Sequence, residues 1–395
     1  MTSAAVLRFD RSHAVYADAI DVASQLVPEA PVFCFSPAIL AASARRFLTG
    51  FPGETAFAVK SNDTALVLKT LARAGIAVWD VASVQEMAKV RAAGGDGVFH
   101  YHNPVKSRAE IRDAAMVYGC RRFAVDSVEE LVKVCDVLNG IDGIEIAVRF
   151  VLPRAETTSA HDFSSKFGAT ATEAAELLSM IVARGFAPVL TFHPGSQCTS
   201  PAAYARHIEA AAAIARMAGV KLAALNVGGG FPARYVLSEG GPLDGYFATI
   251  RQSTATCFGA DVPHLECEPG RGLVATSTSI LARVKLVKAA RGEVFLNEGI
   301  YGALMEVYQA PSLRPPHRVI RDGAVFAEDM ADMTVFGPTC DPLDRLPGAW
   351  ALPADIREGD FVEFGTLGAY GHATMTAFNG YGGHETVIVD QVHGL

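Results

Sequence analysis

The residues of this chain whose types could support chemistry follow short apolar segments. Lys60 ends the segment FAVK, and His193 opens the segment HPGS. Three consecutive glycines occupy positions 228–230, and Glu268 stands three residues before Arg271 in the segment EPGR. A lysine whose pKa is lowered by burial supplies the neutral amine that a Schiff base requires. The backbone N–H groups of bare glycines can approach an anion closely, as a phosphate site requires.

These positions could together form a cofactor site. Arg271 could bind a phosphate group, and Glu268 could hold a pyridinium proton. His193 could stack on a cofactor ring while the hydroxyl of Ser196 binds phosphate. Each position alone also has an ordinary explanation, namely a snorkelling lysine, a rim histidine, a tight turn or a local ion pair. Their convergence at strand ends favours the cofactor site.

A second candidate group lies in the segment GPTCDPLDRL, which contains Cys340 and Asp341. A cysteine in a Gly/Pro-rich turn, followed by acids, is poor core material. The pair could therefore place an exposed thiol acid beside a cationic substrate. The alternative is a turn with an incidental thiol.

Metal-binding patterns are weak in this chain. His100 and His102 alternate along one predicted strand, as do His264 and Glu266 along another. No third ligand stands near either pair in the sequence, whereas bound metals commonly use three or four protein ligands. We therefore expect no metal ion.

Between residues 57 and 270, β-branched or aromatic segments alternate with alanine-rich segments of helical period. Ser or Thr followed three residues later by Glu predicts capping boxes at Ser83, Ser107, Ser127 and Thr170. The predicted strands cover residues 57–60, 77–82, 98–103, 122–127, 144–150, 189–196, 224–230 and 264–270. Eight regular units predict an α/β fold with a closed parallel (β/α)8 barrel, whose chemistry gathers at the C-terminal strand ends. A doubly wound open sheet is the competing arrangement.

The chain beyond the barrel has a different pattern. From about residue 275 it is rich in strands and turns, and Pro and Gly interrupt it around 311–316 and 337–348. This pattern predicts a separate C-terminal β domain, a β-barrel or β-sandwich. We place the barrel at residues 30–272 and the β domain at 273–395, and we expect residues 1–29 to contribute to the β domain.

Composition excludes several classes of protein. The chain has 395 residues, 50% of them hydrophobic and 19% charged, with a formal net charge of −8. A disordered or fibrous chain is excluded, and nucleic-acid binding is disfavoured because no basic stripe occurs. No apolar segment is long enough to predict a membrane helix, and the first residues lack the apolar core of a signal peptide. Seven scattered cysteines without a CxxC motif predict a cytoplasmic protein without disulfides or a zinc site.

With these residues in view, the chain resembles the barrel-type (fold type III) pyridoxal-phosphate decarboxylases of basic amino acids, the ornithine, lysine and diaminopimelate decarboxylase family. The resemblance runs from about residue 30 to the C-terminus and is nearest to the ornithine enzymes. The matching motifs are FAVKSN (57–62), NPVKS (103–107), FAVDSVEEL (123–131), SSKFG (164–168), HPGSQ (193–197), NVGGGFP (226–232), EPGR (268–271), GPTCDPLD (337–344) and GAY…FNGY, which ends at residue 381.

The resemblance implies a role for each of these barrel residues. Lys60 is similar to the lysine that holds pyridoxal 5'-phosphate covalently. His193 would stack on the cofactor ring, and Glu268 would keep the ring nitrogen protonated. Asp80 and Arg149 would belong to the polar shell around them. The residues implied to bind the cofactor phosphate are Ser196, Gly228, Gly229, Gly230, Arg271 and Tyr370.

The resemblance also implies a shared active site. Cys340 is similar to the family's proton donor, and Asp341 to its contact for the distal amine of the substrate. In this family both reach the active site of the other subunit, which implies a homodimer. The expected reaction is decarboxylation of ornithine or lysine to a diamine and CO2, in polyamine or related biosynthesis.

One departure from the family pattern bears on the substrate. Gln309 or Ala310 stands where the ornithine enzymes usually carry a second acid for the distal amine, and the nearby Glu306 could replace it. Tyr301 is a further candidate for substrate contact. The alternatives are a decarboxylase of diaminopimelate, arginine, a D-amino acid or an amino-acid conjugate, a catalytically silent regulatory homologue, or a barrel-type racemase. Such a racemase normally uses arginine at the ring nitrogen, so Glu268 argues against it.

Overall fold

The computed structural model of the protein describes residues 15–153 and 166–394. The chain divides into two compact units. The first, here called the barrel unit, comprises Ala41–Ala233 and Glu239–Leu273. The second, here called the sheet unit, comprises Met1–Leu40, Arg234–Ser238 and Val274–Leu395. The first two residues of the SSKFG motif lie outside the described residues.

The chain begins its described part with short elements of the sheet unit. These are strand β1 (Val15–Tyr16), helix α1 (Ala19–Leu26) and strand β2 (Val32–Phe35). β2 thus lies in the sheet unit, although the sequence placed the start of the barrel at residue 30. Asp18 caps α1, because its carboxylate accepts from the N–H groups of the first turn.

Regular alternation of strand and helix follows, as the periodicity predicts. In chain order the elements are α2 (Pro37–Gly50), β3 (Glu54–Ala58), α3 (Ala65–Ala74), β4 (Val78–Val81), α4 (Val84–Ala92), β5 (Val98–Tyr101), α5 (Arg108–Met116), β6 (Arg122–Val125), α6 (Val128–Leu138), β7 (Glu145–Arg149), α7 (Ala171–Ala183), β8 (Ala187–Thr191), α8 (Pro201–Ala218), β9 (Ala224–Asn226), α9 (Leu243–Phe258), β10 (His264–Cys267) and α10 (Arg271–Val274).

Among the described residues, strands β3 to β10 form a closed parallel barrel. The closure is made between β10 and β3, where Glu266 is paired with Glu54 and Cys267 with Thr55. The predicted (β/α)8 barrel is therefore confirmed, and the open doubly wound sheet is excluded. Parallel closure brings the C-terminal ends of all eight strands to one rim.

The strands end earlier than the sequence suggested, which corrects one expectation about Lys60. β3 ends at Ala58, and Lys60 lies in a 3-10 turn over Val59–Ser61. The hydroxyl of Ser61 donates to the Ala58 carbonyl at 2.8 Å and stabilises this turn. Because the chain has left the sheet, the Lys60 side chain is 50% exposed, as a snorkelling lysine at a strand end would be.

The predicted capping boxes form only in part. They are complete at Ser107 and Thr170. There the side-chain hydroxyl accepts a hydrogen bond from the backbone N–H of the glutamate, and the glutamate side chain accepts one from the backbone N–H of the capping residue. At Ser83 and Ser127 only the hydrogen bond from the backbone N–H of the glutamate to the serine hydroxyl forms. At Ser127 the expected glutamate, Glu130, instead pairs with lysines.

A buried lysine links the segment after β5 to helix α6. Lys106 is 2% exposed, and its Nζ donates to the carbonyl oxygens of Asn103 at 2.9 Å and Ala124 at 2.6 Å. The same ammonium lies 3.1 Å from the carboxylate of Glu130. Burial lowers the pKa of Lys106 to about 8, although the charge of Glu130 opposes this effect.

We expect Lys106→Met to lower the free energy of unfolding by about 1–3 kcal/mol, because two buried carbonyls and a carboxylate lose their donor. Lys133→Met is the matched control, since Lys133 pairs with the other oxygen of Glu130 but is 25% exposed. Chemical denaturation of both variants measures the difference. Equal losses would mean that the buried position of Lys106 adds nothing.

The remaining elements belong to the sheet unit. They are β11 (Thr278–Lys288), β12 (Glu293–Leu296), α11 (Met305–Gln309), β13 (His317–Arg321), β14 (Ala324–Phe326), β15 (Met330–Phe336), β16 (Trp350–Pro353), β17 (Phe361–Phe364) and β18 (Glu385–Val389). Within the described ranges, ten strands join in one mixed sheet, in which β11 pairs with β2, β12 and β17. β1 pairs with β18. The predicted second β domain is confirmed.

The sheet unit has its own hydrophobic core. It contains buried side chains from several strands, among them Phe33, Ile280, Trp350 and Phe364. None of the helices in the described ranges is long and apolar enough to cross a membrane.

Candidate active site

The C-terminal rim of the barrel brings the predicted lysine and acids together. Lys60 Nζ lies 4.0 Å from Asp80 Oδ2 at the end of β4. Glu268 directly follows β10, and its backbone N–H donates to the carbonyl of Gly228 at 2.9 Å. These residues lie at or just after the ends of four strands, β3, β4, β9 and β10, and barrel closure places them on one rim.

The three glycines form a tightly enclosed loop on this rim. Gly228 and Gly230 have φ values of +68° and +88°, a region that side chains disfavour. A Cβ at Gly228 would collide with the carbonyl oxygen of Phe192, and one at Gly230 would lie 2.5 Å from the carbonyl oxygen of Gly195. The loop therefore requires glycine for both conformation and space.

A hydroxyl and a guanidinium lie beside each other on the same rim. Ser196 and Arg271 are buried, and Nε and Nη2 of Arg271 both lie 3.4 Å from Ser196 Oγ. A guanidinium, a hydroxyl and bare backbone N–H groups are the donors that bind a phosphate. The site can therefore hold a phosphorylated ligand.

His193 presents an uncharged ring. Its Nδ1 accepts from the N–H of Gly195 at 3.1 Å. Burial, together with the positive charges of Arg149 and Lys60, lowers the pKa of His193 to about 3. The imidazole is therefore neutral near pH 7 and suited to stack on a flat ring.

Glu268 is held as an anion. It is 9% exposed, and its Oε1 accepts from Asn226 Nδ2 at 2.7 Å and contacts His102 Nδ1. Burial raises the pKa of Glu268, but the charge and hydrogen bond of His102, the charge of Lys60 and the Asn226 hydrogen bond outweigh it. The result is a pKa of about 2.

Asp80 shows the opposite shift. Burial and then the charge of Glu268 raise its pKa to about 7, against the opposing effects of Lys60 and His102. Arg149, at the end of β7, has its pKa lowered by burial, although the surrounding carboxylates oppose this. The pKa values of Asp80 and Glu268 are thus shifted in opposite directions, and such perturbed pKa values are typical of functional sites.

Two residues of this rim had no assigned role in the sequence analysis. His102 and Asn226 both contact the carboxylate of Glu268. His102 alternates with His100 near the end of a predicted strand, and Asn226 opens the NVGGGFP motif, but neither pattern identifies Glu268 as the partner. The contact itself joins residues more than 160 positions apart for His102, so sequence spacing could not reveal it.

A layer of buried charges lies further down the barrel strands. Arg122 on β6 pairs with Glu145 at 2.5 Å and with Glu266, and His100 Nδ1 lies 4.0 Å from Glu266. Pairing of opposite charges offsets the cost of removing these groups from water. It was not predicted.

The structure also corrects the argument about metal binding. Two groups of three residues each bring possible ligand atoms within 4.8 Å of one another. The first group is Glu54, His100 and Glu266, and the second is Asp80, His102 and Glu268. The premise that no third ligand lies near the histidines was wrong, because closure of β10 on β3 adds carboxylates to each. Glu266 already pairs with Arg122, Asp80 with Lys60 and Glu268 with His102, and the absence of a metal stays a prediction.

The other predicted residues belong to the sheet unit. Cys340 is exposed, and its N–H and Sγ lie 3.1 and 3.3 Å from Asn379 Oδ1. Asp341 accepts from the hydroxyl of Tyr301 at 2.5 Å, and this hydrogen bond lowers the pKa of Asp341. The turn therefore presents a thiol beside an ionised carboxylate.

Tyr301 also lines a cavity of about 510 Å³ within the sheet unit. Pro338 and Thr339, which directly precede Cys340, line the same cavity. Glu306 lies in α11 and is 7% exposed, and Tyr370 is half-buried with a φ of +60°. The roles implied for Glu306 and Tyr370 stay predictions.

Comparison with known proteins gives consistent results. Residues 39–275 match the family described as "Pyridoxal-dependent decarboxylase, pyridoxal binding domain". The chain is 31% identical over 357 residues to an ornithine decarboxylase of Panagrellus redivivus, a match that covers 82% of this chain and 77% of that protein. It is 31% identical over 344 residues to a lysine/ornithine decarboxylase of Selenomonas ruminantium, covering 85% and 83%.

A solved structure is similar over nearly the whole chain. It is the arginine decarboxylase of Paramecium bursaria Chlorella virus bound to agmatine, with a TM-score of 0.81 and 25% identity. The match covers 93% of this chain and 99% of the viral chain. The similarity therefore extends over both units.

Proposed function

The chain belongs to the pyridoxal-dependent decarboxylase family, and on that premise we propose that it converts ornithine or lysine to the corresponding diamine and CO2. The observation that carries the proposal is the rim that joins Lys60, an ionised Glu268, a neutral His193 and the glycine loop. The exposed Cys340–Asp341 pair in the sheet unit adds an acid and an anion suited to a cationic substrate.

The residues present fit pyridoxal 5'-phosphate, the cofactor of this family. Lys60 would hold it covalently, His193 would stack on its ring, and Glu268 would hold the proton of its ring nitrogen. Ser196 and Arg271 would bind its phosphate beside the glycine loop, which packs too closely against backbone carbonyls to carry side chains. When bound, the cofactor supplies an electron sink for the electrons of the bond that breaks.

The protein groups have distinct tasks in this reaction. Glu268, ionised by its partners, would keep the ring nitrogen protonated, which would deepen the electron sink. The carboxylate of Asp341 would bind the distal ammonium of the substrate, since its lowered pKa keeps it charged. Cys340 would return a proton to the alpha carbon after CO2 has left.

We expect Cys340→Ala to bind cofactor normally but to slow turnover by about 10²–10⁴-fold, or to divert products, because the proton donor is lost. Cys257→Ala is the matched control, since Cys257 is a half-buried thiol on α9. CO2 release and amine analysis measure both outcomes. Wild-type rates and products in Cys340→Ala would remove its role as proton donor.

We also propose a homodimer whose active sites combine Lys60 of one copy with Cys340 of the other. Mixing Lys60→Ala with Cys340→Ala protein should then restore activity to about one quarter of the wild-type value, because half of the dimers carry one intact site. Mixing Lys60→Ala with Glu268→Gln should restore none, since both residues belong to the barrel unit of one chain. No recovery in the first mixture, despite demonstrated subunit exchange, would contradict shared sites.

Substrate identity is the finer part of the proposal. We expect kcat/KM for CO2 release to be highest with ornithine or lysine in a panel that includes arginine, diaminopimelate and the D-isomers. The support is the CDPLD segment and the names of two curated relatives. The similarity to an arginine decarboxylase makes arginine the main rival, and preference for it would overturn the proposed substrate but not the reaction class.

We propose a cytoplasmic location and a place in polyamine or related biosynthesis. All seven cysteines are free thiols in the structure, as in proteins of a reducing compartment. A diamine product is the type of molecule that polyamine-forming reactions consume.

A further inference from the structure

The carboxylate of Glu268 is shared between two donors on a single oxygen. His102 Nδ1 contacts Oε1, and Asn226 Nδ2 donates to the same atom at 2.7 Å. Asp80 Oδ1 lies 3.7 Å from the same nitrogen of His102. The side chains of Asp80, His102 and Glu268 are only 5%, 7% and 10% exposed. They therefore form a buried acid–histidine–acid trio beneath the rim.

We propose that His102 is a positioning residue that, as a charged imidazolium, keeps the shared proton on the cofactor ring nitrogen rather than on Glu268. This inference rests on the role proposed for Glu268. His102 would act in two ways, by orienting the carboxylate of Glu268 and by placing a positive charge beside it.

The orientation follows from the atoms that are in contact. Both hydrogen bonds described for the Glu268 carboxylate end on Oε1. Two donors thus converge on that oxygen, and Oε2 would be the oxygen that faces the ring nitrogen. Because His102 directly follows β5 and Asn226 ends β9, on separate parts of the barrel, the carboxylate plane is held from two directions.

The charge of His102 follows from the groups that face it. Burial lowers the pKa of His102, but the charge and hydrogen bond of Glu268 and the charge of Asp80 outweigh burial, and the pKa is raised overall. Arg122 opposes this from β6, and the neighbouring ring of His100 has its own pKa lowered well below normal, so it stays neutral. Two carboxylates thus face one imidazolium.

Coulomb's law explains why this charge moves the proton toward the ring. His102 contacts Glu268, whereas a ring nitrogen held by that carboxylate would be farther from His102, and the interaction weakens with distance. The imidazolium therefore lowers the proton affinity of Glu268 more than that of the ring nitrogen. Without it, only the charge of Lys60 and the Asn226 hydrogen bond would oppose the effect of burial, so the proton affinity of Glu268 would rise and favour transfer of the proton to the carboxylate.

The test uses the 15N chemical shift of ring-labelled pyridoxal 5'-phosphate bound to the protein without substrate. This shift separates a protonated ring nitrogen from an unprotonated one and does not depend on turnover. His102→Asn keeps a donor near the position of Nδ1 but removes the charge, and His102→Ala removes both. His207→Asn is the matched control, because His207 is a half-buried histidine on α8 that contacts the Ala203 carbonyl.

We expect the signal to move toward the unprotonated form in both His102 variants and to stay in place in His207→Asn. Turnover should fall by about 10–100-fold in the His102 variants, the range typical of partners that act through another residue. Cofactor binding and thermal unfolding should be recorded alongside, because a merely structural role would change those and leave the shift unmoved.

An unmoved signal in folded, cofactor-bound His102→Asn overturns the inference, whatever the alanine variant does. Glu268→Gln, measured in parallel, distinguishes failure of the role inferred for His102 from failure of the role proposed for Glu268. If Glu268→Gln moves the signal and His102→Asn does not, only the inference about His102 fails. If neither moves it, the proposed role of Glu268 fails as well.

Discussion

Replacing Lys60 with alanine should reduce CO2 release by at least ~10⁴-fold, the largest effect expected for any single change in this chain. Lys60 lies on the barrel rim, 4.0 Å from Asp80 and half exposed, where its amine can reach a bound ligand. A covalent nucleophile acts together with its neighbours, so its loss removes most of the catalysis at once. Chemical reduction of the cofactor-loaded protein, followed by peptide mapping, should place the cofactor on Lys60 in the wild type.

Lys69→Ala provides the control for this prediction. Lys69 is an exposed lysine on α3 of the same unit, so its loss should change neither CO2 release nor the mapped peptide. Substantial activity in Lys60→Ala, or mapping of the cofactor to another lysine, would show that the covalent site has been misplaced.

Replacing Glu268 with glutamine should lower kcat by about 10²–10³-fold, the loss typical of removing one preorganised electrostatic contact. The neutral amide cannot hold the ring nitrogen in its protonated form, so the electron sink is weakened. Stability should change less, because Asp80 stays near His102 and continues to balance its charge. Turnover under substrate saturation and denaturant unfolding measure the two effects separately.

Glu266→Gln is the matched control, since Glu266 lies two residues earlier, next to Arg122 in the buried layer of charges. It should lose about 1–3 kcal/mol of unfolding free energy while keeping most of the turnover. If the two variants lose rate and stability in the same ratio, the distinction between the rim and the buried layer is wrong.

Fold class and much of the site could be predicted because both rest on local patterns. Alternation of strand and helix over residues 57–270 predicted the closed barrel, since eight regular units have one common way to bury their strands. The motifs around Lys60, His193, the glycine loop and EPGR then fell at strand ends, which parallel closure collects on one rim. Each of these inferences needs only the identity and order of nearby residues.

Lys60 and Glu130 show where local patterns fail. The apolar segment before Lys60 predicted a strand through residue 60, but β3 ends at Ala58 and Lys60 lies in a 3-10 turn with its side chain half exposed. Glu130 has the spacing of a capping box, but its carboxylate lies 3.1 Å from the buried ammonium of Lys106 and does not bond to the N-terminus of its helix. In both cases the packing of residues from other parts of the chain overrides a local sequence preference.

The sequence by itself thus determined the barrel, the second β domain and the residue types that could hold a phosphorylated cofactor. Only the tertiary structure decided that His102 and Asn226 bind the same oxygen of Glu268, and that Arg122 neutralises Glu266 below them. Strand alternation tells which face a side chain occupies but not which side chain from a distant strand stands opposite. That pairing depends on the register in which β10 closes on β3, and it sets the protonation state of the site.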